Sequence, residues 1–367
     1  MVKKIRVGIL FGGKSAEHEV SLQSAKNVFE AIDREKYEPV LIGIDKSGRW
    51  LLNDASKFLL NADDPKRIRL NQDSKPVALP PQSGGLISNL DTLAHEGIID
   101  VIFPILHGPF GEDGTVQGLL KLADIPFVGA GVLGSAVGMD KDVLKRLLRD
   151  GGVPIGKYIA LQSHEAVPGF AAVTAALGLP LFIKPANMGS SVGVSKVHNE
   201  AEYRASIQAA FEYDRKIVIE EFIQGRELEC AVLGNGTPAA SVPGEVISTH
   251  EFYSYDAKYL DENGAALQIP AKVPPQTAAE IQRLAIKTFQ VLSCEGLGRV
   301  DFFLRDNGEL LVNEINTMPG FTKISMYPKL WEASGIPYRT LIDRLIELAI
   351  DRYQKERVLK TSYAGDI

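Results

Sequence analysis

The chain of 367 residues exceeds what one ordinary core absorbs, and with 45% hydrophobic and 23% charged residues it reads as a globular protein of two or three domains. Forty basic against 46 acidic residues leave a net charge of −6, which argues against a general nucleic-acid binder. No run of about eighteen apolar residues offers a membrane span. The lysine-led start has too short an apolar run for a secretion signal, so a cytoplasmic protein is expected. Cys230 and Cys294 lie far apart in apolar surroundings and read as buried free thiols rather than a disulfide.

In chain order, residues 5–11 read as a fully buried strand, Gly12-Gly13 as a loop, and 17–31 as a helix. Short apolar runs at 39–44 and 100–106 repeat the strand type, and strands alternating with helices predict an open parallel sheet in the first third. Residues 61–85 are polar and rich in Pro and Gly, the composition of a surface excursion. A helix is expected from Asp140, then a strand at 181–184, a glycine-rich loop, a strand at 192–197, a helix at 200–213 and a strand at 216–222. The last third reads as a helix at 276–292, strands at 297–304 and 310–316, and a closing helix at 338–352.

Two short motifs admit a catalytic reading. "GAGVLG", from Gly129, satisfies the dinucleotide-binding spacing, yet the charged helix and Pro154 that follow supply no second strand ending in an acid. "GSSVG", from Gly189, has the spacing of a hydrolase elbow with Ser191 as nucleophile. That elbow needs a helix after the turn, whereas the residues from Val192 alternate as a strand. A strand-loop-strand tipped with glycine and serine suits another task, closing N–H and hydroxyl groups over phosphates. Several histidines precede a glutamate, but no H-E-x-x-H occurs, so a zinc site is not expected.

A more dispersed pattern carries more chemistry. Lys184 ends the buried strand "LFIKP", where an ammonium needs an anion, and Lys141 opens the helix after "SAVGMD". In "VIEEFIQGRELE" the acids Glu220, Glu221, Glu227 and Glu229 crowd a strand-turn-strand; they suit hydrogen bonds from a ribose or an amino group, and equally a solvated hairpin. "GRVDFFL" puts Arg299 and Asp301 on one strand face, and "LVNEINTMPG" puts Glu314 and Asn316 on one face of the next. Such oxygens at adjacent strand positions are donors for a hard cation, Mg2+ bridging nucleotide phosphates.

These segments, with "FGGKSAEHEVSLQSA", "HGPFGEDGTVQG", "MDK", "FIKPANMGSSVGVSKV", "EFYSYDAKY" and "NEINTMPGFTKISMYP", stand in one order over nearly the whole chain. In that order the sequence resembles the ATP-grasp superfamily and, within it, the D-alanine:D-alanine ligase family. The resemblance implies an α/β fold of three domains: an N-terminal parallel-sheet domain (1–130), and two α+β lobes (131–221 and 222–367) clasping ATP.

By the same resemblance, Lys141 and Lys184 would contact ATP phosphates under the loop from Met188 to Gly193, which carries Ser190 and Ser191. Glu220 would meet the adenine end, main-chain groups of Glu221 and Ile223 the ring, and Glu227 the ribose. Asp301, Glu314 and Asn316 would hold Mg2+, with Mn2+ able to substitute. Glu17 would receive the first D-alanine's ammonium in a hydrogen-bonded set with Ser190 and Tyr259, and His107 would lie beside it. Arg299 and the Gly320 N–H would stabilise the oxyanion, and Ser325 would hold the second D-alanine's carboxylate. Lys258 and Tyr259 would reach inward from a lid at 248–264, whose polar, aromatic, glycine-ended composition suits a closing loop. The intact Lys258-Tyr259 pair implies D-alanine rather than D-lactate as second substrate. A homodimer is implied in the same way, with neither nucleic acid nor membrane as partner.

Overall fold

The computed structural model describes residues 3–64, 66–248, 265–322 and 324–360. β1 (Ile5–Gly12) is apolar and almost wholly buried, as a strand covered on both faces must be. At its end Gly12 adopts φ +91°, and a Cβ there would stand 2.2 Å from the Ile44 carbonyl oxygen. Glycine is therefore required for the chain to leave the sheet. The Gly12 N–H donates to Ser21 Oγ at 2.7 Å, on α1 (His18–Ala31), and the turn delivers Glu17 to the helix start.

β2 (Tyr37–Ile44) pairs in parallel with β1. The expected parallel sheet continues only on the other side of β1, because β3 (Trp50–Asn53) turns back antiparallel to β2. β4 (Leu59–Leu60) and β5 (Arg69–Leu70) form a separate hairpin. β6 (Lys75–Ala78), β7 (Leu86–Asn89) and β8 (His95–Ile98) extend the sheet antiparallel, and β9 (Val101–Ile105) closes it parallel to β1. The order is β8-β7-β6-β3-β2-β1-β9. Residues 61–85, expected as a surface excursion, thus contribute β5 and β6. Strands of two to four residues are too short to establish alternation, and the Lys-Pro start of β6 has loop composition.

α2 (Thr115–Leu122) and α3 (Val132–Met139) lead to α4 (Lys141–Asp150), capped by Asp140, whose carboxylate accepts the N–H groups of Asp142 and Val143, each at 3.1 Å. Lys141 is thereby fixed in the first turn. A four-stranded antiparallel sheet follows, ordered β10 (Tyr158–Gln162), β13 (Lys216–Glu221), β11 (Leu181–Pro185), β12 (Ser195–Val197). It packs on α5 (Phe170–Leu177) and α6 (Glu200–Phe211) through Val173, Ile183, Ile207 and Ile219. β12 is shorter than the expected strand at 192–197 because Ser190, Ser191 and Gly193 take φ values of 48°, 61° and 70°, which bend the chain.

A six-stranded sheet then forms from β14 (Arg226–Gly234), β15 (Ala239–Ala240), β16 (Gly244–Ser248), β17 (Ala265–Gln268), β18 (Gly296–Leu304) and β19 (Leu310–Asn316). Its path is β17-β16-β14-β18-β19, with β15 paired to β14. α7 (Pro275–Val291) lays Ile281, Leu284 and Phe289 against this sheet, fully buried; each such side chain contributes about 1.5–3 kcal/mol. α8 (Met326–Ala333) and α9 (Tyr338–Arg357) return to the first sheet, where Leu22 and Phe103 share a core with Phe321, Tyr327, Leu341 and Leu345. Buried Arg352 on α9 donates to the carbonyls of Phe127 at 2.8 Å and Gly129 at 2.5 Å. These contacts seat the last third of the chain against the first, and a cavity opens between the six-stranded sheet and the loops that follow β1, β9 and β11. Cys230 and Cys294 are free and buried as expected, and burial pushes both thiols up to about 12.

The motif glycines serve packing. A Cβ on Gly134 would stand 2.7 Å from the Ser293 carbonyl oxygen, so "GAGVLG" is where α3 approaches the turn before β18. "GSSVG" lies between two antiparallel strands with no helix behind it, so no nucleophile elbow forms.

Candidate active site

The cavity measures about 660 Å³ and is lined by strands of the six-stranded sheet, by Glu17, His107 and Glu112 from the turns after β1 and β9, by Lys141 at the start of α4, and by the loop after β11. β18 places Arg299 and Asp301 toward it while Val300 and Phe302 point into the core, as strand alternation requires. Asp301 lies opposite Glu314 on β19 and opposite Glu229 on β14; Arg299 lies opposite Asn316. Three carboxylates therefore stand side by side on adjacent strands, about 4.8 Å apart by strand spacing, an arrangement that repels itself unless a cation answers. Arg299 does so: Nε and Nη2 bond the two Asp301 oxygens at 2.7 and 2.8 Å, and Nε lies 2.8 Å from Glu229 Oε2. Asn316 Oδ1 accepts the Met318 N–H at 3.1 Å. Among the described residues no three His, Cys, Asp or Glu side chains converge as a metal-binding group.

A cationic wall faces this row. Lys184 Nζ lies 2.6 Å from Glu220 Oε2, and Lys145 Nζ lies 3.2 Å from Glu220 Oε1. Burial would raise the Glu220 carboxyl, but the two ammonium groups outweigh it and hold it at about 2. Lys141 donates to the Met188 carbonyl at 2.7 Å. Burial pulls its ammonium below the usual lysine range, against the attraction of Glu314, and neighbouring Lys184 adds to the fall. Lys184 is also desolvated, yet Glu220 and Glu314 carry it above that range. Three lysines against one glutamate leave an excess of positive charge suited to phosphate oxygens. Lys145 was not singled out in the sequence; its position four residues after Lys141, on the same helix face, was the available signal.

At the opposite end, Ser190 Oγ donates to Glu17 Oε1 across 173 positions of sequence. The contact is close because neither loop carries bulk: a Cβ on Gly108 or Gly189 would stand 2.9 or 3.1 Å from Glu17 Oε2. His107 follows β9 with Nδ1 at 3.0 Å from the Met318 carbonyl oxygen and Nε2 at 3.5 Å from Ser24 Oγ. Glu112, absent from the sequence expectations, approaches the same ring at 3.7 Å. Burial works against charge on both members of this pair; His107 is nevertheless raised by Glu112, and Glu112 is raised by burial together with Glu17. Ser325 stands at the position just before α8, and its Oγ, which makes no bond to the helix N–H groups, meets the Thr322 N–H at 3.0 Å and the Thr322 hydroxyl at 2.8 Å. A Cβ on Gly320 would come within 2.8 Å of Ser325 Oγ.

The remaining expected residues lie further out. Glu227 is exposed at the cavity rim on β14, Ile223 packs over Gly156, and Ser191 sits half-buried in the loop after β11. The Glu221 side chain is committed elsewhere, accepting the Lys157 N–H at 2.7 Å and pairing with Arg305 at 3.0 Å. Lys258, Tyr259 and the lid from 249 onward lie outside the described residues. A second cavity of about 570 Å³ opens at the start of β1 beside Asp100, Tyr353 and Arg357, away from all of these groups.

Patterns of two protein families cover most of the chain: "D-ala D-ala ligase N-terminus" matches residues 6–130 and "D-ala D-ala ligase C-terminus" matches 147–347. The chain belongs to the D-alanine:D-alanine ligase family. It is 56% identical over 363 residues to the D-alanine–D-alanine ligase of Oceanobacillus iheyensis, covering 98% of this chain and 99% of that one. With D-alanine–D-alanine ligase A of Escherichia coli K12 the identity is 53%, covering 98% and 100%. The D-alanine-D-alanine ligase structure from Coxiella burnetii superposes with a TM-score of 0.83 at 40% identity, covering 96% of this chain and 97% of that one. The VanG D-Ala:D-Ser ligase of Enterococcus faecalis superposes with a TM-score of 0.82 at 36% identity, covering 95% and 100%. The fold is thus the ATP-grasp fold of these ligases. Among the described residues no helix is long and apolar enough to cross a membrane.

Proposed function

We propose that this chain joins two D-alanine molecules into D-alanyl-D-alanine at the expense of ATP, through a D-alanyl phosphate, to supply the peptidoglycan precursor. The observation that carries the reading is the cavity itself. It sets an ammonium acceptor, Glu17 with Ser190, beside a row of carboxylates that Lys141 faces from the lining and Lys184 from behind it.

The residues supply the two steps in turn. A carboxylate oxygen of the first D-alanine, its ammonium on Glu17, attacks the γ-phosphorus and ADP leaves, while Lys141 and Lys184 meet the charge spreading over the phosphoryl oxygens. The amine of the second D-alanine, having lost a proton, then attacks the acyl carbon. The new C–N bond forms, the carbon–oxygen bond to phosphate breaks, and phosphate leaves. Arg299 and the Gly320 N–H stabilise the oxyanion between these events; one such donor is worth about 3 kcal/mol in other enzymes. Ser325, at the N-terminus of α8, receives the second carboxylate.

Asp301, Glu314 and Asn316 fit a hard divalent cation: they present oxygen donors at facing positions of two strands, and Asp301 already chelates a guanidinium there. When bound, Mg2+, or Mn2+ in its place, would neutralise nucleotide phosphate charge. Glu220, Glu221, Ile223 and Glu227 would line the nucleoside, with Ser191 over the phosphates. Lys258 and Tyr259 would complete the closed site. On this reading the chain divides into domains at 1–130, 131–221 and 222–367, and is active as a cytoplasmic homodimer.

A second reading, a D-alanine:D-serine ligase, rests on the likeness to the D-Ala:D-Ser enzyme. Phosphate release from Mg-ATP with D-alanine alone, L-alanine alone, or D-alanine plus D-serine or D-lactate separates them, with the product identified by mass. Release with D-alanine alone and a D-alanyl-D-alanine mass is expected. Faster turnover with D-serine or D-lactate present refutes the choice of second substrate, and no release under any condition refutes the ligase reading.

A further inference from the structure

Glu229 stands where a carboxylate is costly. It is buried, it directly neighbours Asp301 across β14 and β18, and it borders a cavity that must accept phosphates and carboxylates. The metal donor set does not include it. What it touches is Arg299 Nε, at 2.8 Å, while the same Nε lies 2.7 Å from Asp301 Oδ1.

Nε carries a single hydrogen, which Asp301 Oδ1 accepts, while Glu229 Oε2 meets the guanidinium as an ion pair and receives no hydrogen bond there. Asp301 cannot both chelate a guanidinium through two oxygens and present those oxygens to a divalent cation. Arg299 in turn cannot stabilise an acyl oxygen while its fork is closed on Asp301. Both roles require the same movement. Once Asp301 turns away, a guanidinium held only by its long alkyl stem has many orientations; one fixed at Nε has few.

Resting on the ligase reading, we propose that Glu229 is a positioning residue. It takes over the Arg299 Nε–H when Asp301 turns to the cation, so that one arginine first neutralises the row of acids and then presents its N–H groups to the acyl oxygen. Arg299 and the divalent cation compete for Asp301, and Glu229 sets the balance by giving the displaced guanidinium a place to stand.

The test is a double-mutant cycle read as Mn2+ affinity of the nucleotide-free protein, measured from free Mn2+ by electron paramagnetic resonance. Arg299→Met removes the competitor and is expected to tighten Mn2+. Glu229→Gln leaves Arg299 on Asp301 and is expected to weaken Mn2+ about tenfold, the size of coupling seen between neighbouring charges. In the Arg299→Met background the same change is expected to have much less effect. A Glu229→Gln effect of equal size in both backgrounds overturns the proposal, because a mere loss of nearby negative charge would act without Arg299. If Glu229→Gln does not fold, Glu229→Asp, which keeps the charge and withdraws the carboxylate, runs the same cycle. In turnover, Glu229→Gln is expected to lower kcat with little change in KM for D-alanine; a change in KM alone also overturns it. The Mn2+ cycle needs no turnover, so it remains decisive even if the wild-type protein makes no dipeptide and the ligase reading fails.

Discussion

Replacing Glu220 by glutamine isolates the electrostatic centre of the anion site. Glu220 lies between Lys184 at 2.6 Å and Lys145 at 3.2 Å, with all three side chains nearly out of solvent. Burial alone would push its carboxyl up, and the two lysines bring it from the reference 4.5 to about 2. At about 1.4 kcal/mol per unit, that displacement favours the ionised folded state by about 3 kcal/mol. Because the folded value lies below the unfolded one, the contribution is fully present above about pH 4.5 and is lost as pH falls from there toward 2. Glutamine removes it at every pH and leaves two buried ammonium groups without their counter-ion, so a loss of about 3–5 kcal/mol is expected near neutrality. Thermal unfolding with and without ATP, from neutral pH to about pH 3, reads the effect. The variant should melt several degrees below wild type at neutral pH, and the gap should narrow on acidification as the wild type loses what the variant already lacks. ATP should raise the variant's Tm more than the wild type's, since phosphates replace the missing anion. Equal Tm values at neutral pH, or a gap that does not change with pH, would refute the assignment of Glu220 as counter-ion to this cluster.

Two further changes probe the ends of the cavity. Gly320→Ala sets a methyl group 2.8 Å from Ser325 Oγ, whose two contacts with Thr322 resist its retreat, so KM for the second D-alanine should rise about tenfold with the Tm preserved; steady-state kinetics over a wide D-alanine range separate the two substrate sites. Lys145→Met keeps the apolar stem and deletes one ammonium, so KM for ATP should rise about tenfold while KM for D-alanine stays unchanged, as measured by coupled ADP release.

The polar face of β18 and β19 that borders the cavity was legible because alternation alone decides which residues share a face. Arg299 and Asp301, like Glu314 and Asn316, lie two apart in their strands, with Val300 and Ile315 between them buried. Lys184 was legible for a related reason, since an ammonium in an otherwise buried strand implies an anion. The mixed sheet was not: residues 61–98 hold strands of two to four residues, below the length at which a period can be read, and their polar composition matches loop. Lys145 and Glu112 were not singled out, and Glu229 was read only as one acid of a crowded hairpin, because each meets a partner distant in sequence. A helical lysine, a loop glutamate and a hairpin glutamate each look solvated until the fold buries them.

That difference has a physical origin that bears on how the site works. Residues that touch ligand need a chemical type and an orientation, and the local strand or loop supplies both. Residues that hold those groups in place need a neighbour, and only tertiary structure supplies one. Arg299 belongs to both sets: its face is dictated by β18, but the direction of its fork is decided by Asp301 on its own strand and Glu229 on the next. A charge whose orientation depends on two competing carboxylates changes its target when one of them is taken. On the proposed reading, the same side chain would neutralise the acids of the row and, with a cation on Asp301, turn its fork to the acyl oxygen.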